Sequence, residues 1–287
     1  MAVWYPASGE AQRHRYSPLL AGNVIERGEA SDCTGLPLII FSHGFAGCGT
    51  QSVFLTEELA RAGYIVAAPD HSDAACSVDH SMKLRLPLPQ KTFLTGLGWS
   101  EKTYRNRRRD IENVLEYMLE FSSFAGMIDQ GRIGALGHSL GGYTVLGMAG
   151  AWPGWHDPRI KAVAAVSPFV KPYLRQDRLK GVKVPVMLQG AQYDWGVTPT
   201  LHGETGAFAR LLQPKYYLEL NGGSHLEWTN AVCLGHRSVQ GCLDKRDNAS
   251  LIVKYTLAFF DKHLKGNTDA FTRMHGEGAR TWEAARP

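Results

Sequence analysis

The sequence lacks the features that would place it in several large classes of protein. It has no run of about 18 apolar residues, so we expect no membrane-spanning helix. Its first residues include neither a basic segment nor a long apolar segment, so we expect no signal peptide. It has no C-x-x-C pair, which argues against zinc binding and thiol redox chemistry. We therefore expect no zinc site, and nothing else in the sequence calls for a metal or an organic cofactor.

Cysteine is scarce, and the five residues of this type stand at positions 33, 48, 76, 233 and 242. An odd number leaves at least one thiol unpaired. In a chain without a signal peptide, the default expectation is a cytoplasmic protein with free thiols. Cys233 and Cys242 flank a polar loop, however, and would be able to pair in an oxidising compartment. Val3-Trp4-Tyr5 reads as a strand already under way, so secretion is the alternative if the N-terminus is truncated.

Charge of one sign is not concentrated in any long segment. The formal net charge is +4, and the basic residues are scattered along the chain. The one basic run, Arg107-Arg108-Arg109, is more typical of the solvated start of a helix than of a nucleic-acid patch. We therefore expect no nucleic-acid partner.

The sequence does contain a regular alternation of apolar, strand-like runs with segments of helical periodicity. This alternation predicts an α/β fold with a mainly parallel sheet flanked by helices. The predicted strands are Val3–Tyr5, Leu38–Phe41, Tyr64–Ala68, Ile133–Leu136, Ala162–Val166, Val184–Gln189 and Lys215–Leu220. Gly266 is expected to cap the last helix. The predicted helices are Leu55–Ala62, Asp110–Phe121, Leu140–Ala149 and Ser250–Leu264.

No repeat or linker divides the chain, so we predict one domain over residues 1–265 and a polar, loosely held tail over residues 266–287. Residues 77–99 are predicted to form a long irregular loop. Between the fifth and sixth predicted strands there are only residues 167–183, too few to form a cap domain with its own core. We therefore expect no large cap domain.

Residues 137–141 read G-H-S-L-G, a G-x-S-x-G motif between a predicted strand and a predicted helix. In that context the motif is typical of a sharp turn that holds the hydroxyl of Ser139 clear of the backbone. Glycine is needed at Gly137 and Gly141 because side chains there would clash in the turn. A chance match is the alternative, and the strand–turn–helix context argues against it. We therefore predict that Ser139 is a nucleophile.

A serine hydroxyl needs a base that takes its proton and an acid that orients the base. In enzymes with this turn, the acid and then the base follow the serine along the chain. Asp194 lies after the predicted strand Val184–Gln189, and His225 lies in a glycine-rich turn after Lys215–Leu220. We predict that Ser139, Asp194 and His225 form a catalytic triad.

Other interpretations of these residues are weaker. Alone, Asp194 would be an ordinary turn aspartate, and His225 would be a capping or surface histidine. Asp70 also follows a predicted strand, but it precedes the serine in the chain. His202 follows no predicted strand, and His263 lies on the last predicted helix. The order of the residues therefore favours the triad.

Attack on a carbonyl also needs two backbone N–H groups that face the developing negative oxygen. Leu140 is expected to supply one, because it follows the nucleophile at a helix N-terminus. The other is expected from the loop after Leu38–Phe41, which reads S-H-G-F-A-G, and Phe45 is the best donor there. A plain turn is the alternative for this loop. We interpret His43 as a structural hydrogen-bonding residue rather than as the base.

Several segments carry a family resemblance: W-Y-P-A at 4–7, F-S-H-G at 41–44, A-P-D-H at 68–71, R-I-G leading into G-H-S-L-G-G at 132–142, and the segments around Asp194 and His225. Together they resemble α/β-hydrolases of the dienelactone hydrolase-like group. The resemblance is to the platelet-activating-factor acetylhydrolase type in particular, with cutinase-like polyester hydrolases as relatives. It covers roughly residues 3–265 and implies an α/β-hydrolase fold with the same triad and oxyanion donors. Members with dienelactone activity use a cysteine nucleophile, so dienelactones are not the expected substrates.

These residues predict a serine carboxylic-ester hydrolase that acts through an acyl-enzyme on short-acyl esters. A cutinase-like polyester hydrolase is the alternative, in which aromatic residues next to the site loops form an apolar platform: Phe45, Phe169, Trp195 and Trp228. The last three are the predicted substrate-binding residues, although these aromatics would equally suit the core or the rim. A non-catalytic binding protein on the same fold is the weakest hypothesis. The expected partner is a small or polymeric ester.

Overall fold

The computed structural model describes residues 1–31, 33–76, 87–269 and 275–285. Within these residues the chain alternates between strands and helices. The strands are β1 Ala2–Trp4, β2 Gln12–Ser17, β3 Leu20–Val24, β4 Leu36–Ser42, β5 Ile65–Ala68, β6 Ile128–His138, β7 Ile160–Val166, β8 Val186–Ala191, β9 Lys215–Leu220, β10 Arg237–Ser238 and β11 Ala279–Ala285.

Eight of these strands form the central sheet, in the order β1-β5-β4-β6-β7-β8-β9-β11. The inner strands run parallel to one another, and only the edge strands β1 and β11 are antiparallel to their neighbours. The inner strands are almost wholly buried, because helices cover both faces, and this explains their nearly continuous apolar sequences. The predicted α/β fold with a mainly parallel sheet is confirmed.

Helices α1, α6 and α7 pack on one face of the sheet, and α2 and α3 pack on the other. Gly266 ends α7 in the left-handed conformation, with φ 72°, as the sequence predicts. None of the described helices is long and apolar enough to cross a membrane. The α-helices are α1 Val53–Arg61, α2 Arg105–Glu116, α3 Leu140–Leu146, α4 Lys171–Arg175, α5 Ala207–Arg210, α6 Val239–Leu243 and α7 Asp247–Lys265. Wider or tighter turns are Tyr117–Phe121, Gly147–Ala151, Pro153–Trp155, Leu179–Gly181, Thr198–Thr200 and Asn230–Cys233.

Every predicted strand and helix has a counterpart in the structure, with ends that shift by a few residues. The sequence analysis missed β2, β3 and β10, which form a separate small sheet beside α6. Strand β2 reads Q-R-H-R-Y-S and is largely exposed, so it has no apolar run that would mark it as a strand. Residues 167–183, between β7 and β8, form only α4 and one short turn, so this segment builds no cap domain.

The chain after residue 265 differs from the predicted tail, because β11 completes the edge of the sheet by pairing with β9. Trp282 anchors this strand, with its ring 4.8 Å from that of Tyr255 and 6.3 Å from that of Tyr216. Exposed polar residues and alanines surround this tryptophan, so the sequence signal is weak. The rest of the predicted tail, at 270–274 and 286–287, lies outside the described residues.

Most of the first half of the predicted long loop, at residues 77–86, also lies outside the described residues. Residues 87–99 contain neither a helix nor a strand. They fold back on the protein, since Trp99 is buried and its Nε1 donates to the carbonyl of Thr92 at 3.1 Å. This part of the loop is therefore ordered against the body of the domain.

The structure pairs four of the five cysteines, against the expectation of free thiols. Disulfides join Cys48 to Cys76 and Cys233 to Cys242, and Cys33 is free and exposed. The first bridge links the loop after β4 to the loop after β5, and these loops come together only because the two strands are neighbours in the sheet. The spacing of the cysteines therefore gave no signal for this pair.

Candidate active site

Three polar side chains meet at the carboxyl ends of β6, β8 and β9. Nε2 of His225 lies 2.9 Å from Oγ of Ser139, and its Nδ1 lies 2.9 Å from Oδ2 of Asp194. The Asp194 side chain is 4% exposed, whereas that of His225 is 35% exposed. The carboxylate is therefore shielded from water, and the imidazole can reach a bound molecule. The structure brings together the three residues that the sequence analysis assigned to a triad.

Ser139 occupies a strained turn between β6 and α3. Its backbone has φ 54° and ψ −114°, a conformation that residues other than glycine rarely adopt. Its N–H donates to the carbonyl of Val166 at 3.1 Å, and its carbonyl accepts from the N–H of Phe169 at 3.0 Å. Both partners belong to the end of β7 and the residues that follow it, so the neighbouring strand holds the turn in place.

The two glycines of the motif allow close contact between backbones. A Cβ at Gly137 would collide with the backbone of Gly141. A Cβ at Gly141 would collide with the carbonyl of Ser42, the last residue of β4. The start of α3 therefore touches the end of β4, and this contact fixes the nucleophile turn relative to the loop that carries Phe45.

A fourth polar side chain, which the sequence analysis missed, contacts both partners of the serine. Oγ of Ser167 donates to Oδ2 of Asp194 and lies 2.8 Å from Nδ1 of His225. Ser167 is fully buried directly after β7, with φ 44°. Its signal in the sequence is a polar residue directly after a buried strand, the position that Ser139 has relative to β6.

The predicted oxyanion donors lie on two adjacent segments. Phe45 is on the loop after β4, and Leu140 is the first residue of α3. Across the part of the chain that the structure describes, neither backbone N–H has a hydrogen-bond acceptor. Both groups are therefore free to donate to an oxygen atom of a bound molecule.

Arg107 supports the Phe45 loop from the protein interior. Its fully buried guanidinium donates to the carbonyl of His43 at 2.6 Å and to that of Gly44 at 3.0 Å. Asp73 supplies the opposite charge, 3.0 Å from Nη2. Burial lowers the pKa of Arg107, and the neighbouring carboxylate raises it again. The basic run does begin a helix, but the prediction of a solvated surface is wrong for Arg107, because loop carbonyls and an aspartate satisfy its donors.

A second Ser–His–Asp row lies behind the Phe45 loop. Nε2 of His71 lies 2.9 Å from Oγ of Ser42, and Nδ1 lies 2.8 Å from Oδ2 of Asp110. Ser42 and His71 are buried, so a substrate does not reach this hydroxyl. His43 accepts from the N–H of His71 at 3.0 Å and donates to the carbonyl of Gly44 at 2.7 Å, which matches its predicted structural role. Burial, reinforced by the nearby guanidinium, lowers the pKa of His43 and His71 well below 6.5.

The three aromatic residues predicted to bind substrate lie in different environments. Trp195 is 77% exposed next to Tyr193, with the two ring centroids 6.2 Å apart. Phe169 is buried beside the nucleophile turn. Trp228 has no exposed surface, and its Nε1 donates to Oε1 of Gln189 at 2.8 Å. The prediction that Trp228 contacts substrate is therefore wrong, because this polar partner holds the ring in the core.

The weaker candidates lie away from Ser139. Oδ1 of Asp70 accepts from the N–H of Gly49 at 2.8 Å. Nε2 of His202 lies 2.6 Å from Oε1 of Glu283, and His263 contacts a tyrosine hydroxyl. Within the described residues, no group of three or more histidine, cysteine, aspartate or glutamate side chains is arranged to hold a metal ion.

Two protein-family models match the chain. The model described as PET hydrolase-like matches residues 99–241, the segment that carries Ser139, Asp194 and His225. The model described as platelet-activating factor acetylhydrolase, isoform II, matches residues 20–94, which include the Phe45 loop. The chain has an α/β-hydrolase fold, and these matches support a relation to the cutinase-like polyester hydrolases.

Curated relatives of this α/β-hydrolase carry two kinds of name. It is 28% identical to "Cutinase est2" of Thermobifida alba over 191 residues, which are 65% of this chain and 52% of the relative. It is 24% identical to a platelet-activating factor acetylhydrolase of Cavia porcellus over 259 residues, 79% of this chain and 57% of the relative. The chain thus spans little more than half the length of these relatives.

The histidine that precedes the nucleophile generates a prediction about acid stability. Burial, together with the nearby charge of His225, lowers the pKa of His138 from 6.5 to about 3. Between these two values the unfolded chain binds a proton at this residue that the folded chain does not, so stability falls as pH falls below 6.5. At pH 5 this residue alone is expected to cost about 2 kcal/mol.

Urea unfolding at pH 7 and pH 5 measures the difference, with His138→Gln as the comparison. We expect the substitution to reduce the loss of stability between the two pH values by about 2 kcal/mol. If the variant loses as much stability between pH 7 and pH 5 as the wild type does, His138 is not a neutral, buried residue.

Proposed function

We propose that this α/β-hydrolase is a serine carboxylic-ester hydrolase that acts through an acyl-enzyme. The observation that carries the proposal is the line of hydrogen bonds from Ser139 through His225 to Asp194, with 2.9 Å at each step. Acyl transfer requires a nucleophile beside a base, and it requires a base that a buried acid holds in place. This line of residues provides both.

In this proposal Oγ of Ser139 attacks the ester carbonyl while its proton passes to Nε2 of His225. The imidazolium then gives this proton to the departing alcohol, and an acyl-enzyme remains. A water molecule, deprotonated by the same nitrogen, attacks the acyl group and restores the serine. Asp194 accepts from Nδ1–H throughout, so it fixes the tautomer in which Nε2 can accept a proton.

The negative oxygen of each tetrahedral intermediate is assigned to the backbone N–H groups of Phe45 and Leu140. Their lack of acceptors among the described residues supports this role. Leu140 begins α3, so the positive end of the helix dipole also favours a negative charge there. Arg107 neutralises no substrate charge in this scheme, since its donors are already bonded to the loop carbonyls and Asp73.

The two disulfides support a location in an oxidising compartment rather than in the cytoplasm. Such bridges persist in secreted and periplasmic proteins and are rare where glutathione keeps thiols reduced. Cys48 follows Phe45 closely in the chain, so its bridge to Cys76 lies next to the oxyanion loop. We therefore favour the alternative of secretion over the cytoplasmic default.

A preference for short acyl groups is supported by Phe93. Its ring lies 5.5 Å from that of Phe45 and 5.2 Å from that of Phe169, and the three form part of an aromatic cluster with Trp99. Phe45 belongs to the oxyanion loop and the N–H of Phe169 donates to the carbonyl of Ser139, so Phe93 packs against a ring from each of these two segments of the site. A long acyl chain that runs in this direction meets an aromatic ring after a few carbons.

A polyester is the second candidate substrate, and exposed apolar side chains beside the triad favour it. Tyr193 and Trp195 flank Asp194 and are 54% and 77% exposed, and Leu226, which follows His225, is 53% exposed. An exposed apolar rim of this kind suits a polymer chain on a surface. Soluble product released from a polyester film by the wild type, and not by Ser139→Ala, would establish this activity.

The nucleophile assignment predicts the outcome of two matched serine substitutions. Ser139→Ala is expected to lower kcat on p-nitrophenyl acetate by about 10⁴-fold, because the triad acts as a unit. Ser42→Ala is the control, since it removes the hydroxyl of the buried Ser–His–Asp row, and we expect it to retain at least about a tenth of the rate. Labelling with an organophosphate, followed by peptide mass analysis, should modify Ser139 alone. Retention of activity by Ser139→Ala, or modification of Ser42, would contradict the assignment.

The acyl-group assignment predicts the effect of Phe93→Ala on a series of p-nitrophenyl esters from C2 to C16. The wild type is expected to turn over acetyl to butyryl esters fastest. The variant opens the space between Phe45 and Phe169, and each further methylene that it buries is expected to contribute about 0.8 kcal/mol, roughly a factor of four in kcat/KM. Leu94→Ala is the control, because the adjacent Leu94 is 80% exposed and is not in the cluster. An unchanged profile for Phe93→Ala would exclude this wall as the determinant of acyl length.

A further inference from the structure

A chain of three hydrogen bonds connects the Phe45 loop to the His225 loop. Gly44 N–H donates to Oε1 of Gln51 at 3.0 Å. Nε2 of Gln51 lies 3.2 Å from Nδ1 of His138, and Nε2 of His138 lies 2.9 Å from the carbonyl oxygen of His225. This series of hydrogen bonds, which we call the relay, begins one residue before Phe45. It passes through His138, the residue before the nucleophile, and ends on the backbone of the base.

The chemistry of its two ends fixes the direction of every bond in this relay. A backbone N–H only donates, so the Gln51 atom that faces Gly44 is the carbonyl oxygen, and the amide nitrogen faces His138. A backbone carbonyl only accepts, so Nε2 of His138 carries the proton that bonds to His225. Nδ1 of His138 is then the acceptor for the amide of Gln51. The relay is therefore complete only when His138 is neutral and in this one tautomer.

The surroundings of His138 favour that neutral form. The residue is 3% exposed, and its ring lies 4.9 Å from that of His225 and stacks at 6.2 Å on that of Trp228. Burial is the largest cause that lowers its pKa to about 3, and the charge of His225 is the next. The bond to the His225 carbonyl and the charge of Asp194 act in the opposite direction. The charges of His43 and His138 also act on each other, and burial favours the neutral form of His43 as well.

We propose that Gln51 and His138 are positioning residues that hold the oxyanion loop and the base loop at fixed places on either side of Ser139. This inference rests on the proposed esterase function. The oxyanion and the imidazolium form in the same step. The relay joins the loop that carries Phe45 to the loop that carries His225. It therefore keeps the N–H of Phe45 and Nε2 of His225 in the geometry that this step requires. Neither side chain takes part in proton transfer.

The proposal is tested by a substitution that keeps one bond of the relay and removes the donor of the next. In Gln51→Glu the carboxylate still accepts from Gly44 N–H, but it has no hydrogen to donate to Nδ1 of neutral His138. The series of bonds is complete in this variant only after the carboxylate or His138 takes up a proton, and a carboxylate beside Nδ1 raises the pKa of His138 above its wild-type value. We therefore expect kcat of the variant to fall with rising pH, to about 10- to 100-fold below the wild type at pH 8, and the difference in kcat from the wild type to shrink as pH falls.

Gln51→Met and His138→Gln complete the design. Methionine has a similar length but makes neither bond, so kcat should fall about 10- to 100-fold at every pH, with KM changed less than threefold. Glutamine at position 138 can accept from Gln51 and donate to the His225 carbonyl, so it should retain more activity than His138→Phe. This rescue by a side chain with the same hydrogen-bonding groups separates positioning from simple filling of space.

Gln192→Glu is the matched control for the new negative charge. Oε1 of Gln192 accepts from the N–H of Gly222 at 3.0 Å, close to Asp194 in the chain but outside the relay. This variant keeps its bond and adds the same charge near the site, so its kcat should show no fall towards high pH. Urea unfolding at pH 8 shows whether each variant is folded under the assay conditions.

The outcomes separate the relay from the function on which it rests. A descending limb in the pH profile of kcat for Gln51→Glu, absent from the wild type and from Gln192→Glu, supports the relay. A wild-type pH profile for Gln51→Glu together with wild-type kcat for Gln51→Met overturns it, even if Ser139→Ala is inactive. If Gln51→Glu does not fold, the kcat loss of Gln51→Met and the comparison of His138→Gln with His138→Phe decide. Activity in Ser139→Ala would instead overturn the proposed function.

Discussion

The close contact between the start of α3 and the end of β4 is the constraint on which the rest of the site depends. It exists because Gly141 has no side chain, so its backbone can lie against the carbonyl of Ser42. This contact sets the nucleophile turn and the Phe45 loop at one fixed separation. The strained backbone of Ser139 persists because bonds from the β7 side and this contact leave the turn no relaxed alternative.

Buried polar groups, in addition to aromatic packing, then hold the loops around that contact. Arg107 binds two successive carbonyls of the Phe45 loop, and Gln51 binds the N–H of Gly44. On the opposite side Ser167 contacts Asp194 and His225. A loop with buried carbonyls needs such donors, since unpaired polar groups away from water are costly. The supports of this site are therefore directional bonds, which fix positions more narrowly than contact between apolar surfaces.

The sequence predicts the main sheet and the triad because both have strong local signals. Buried parallel strands read as apolar runs, and the site residues lie at or shortly after the ends of those runs, as Ser139 and Asp194 do. The environments of side chains were harder to predict. Trp228 and Arg107 are buried through partners that are far away in the chain, at Gln189 and Asp73. Pairing of Cys48 with Cys76 likewise depends on which strands become neighbours, and no local pattern encodes it.

The disulfide between Cys48 and Cys76 has a consequence for how the molecule opens. It joins the loops at the carboxyl ends of β4 and β5 and encloses α1 and β5. Edge strands commonly exchange their amide hydrogens through local opening that leaves the centre of a domain intact. Here β5, and β1 paired outside it, cannot separate far from β4 at this end of the sheet without pulling on the residues next to Phe45. The covalent link makes this edge of the sheet and the oxyanion loop part of one cooperative unit.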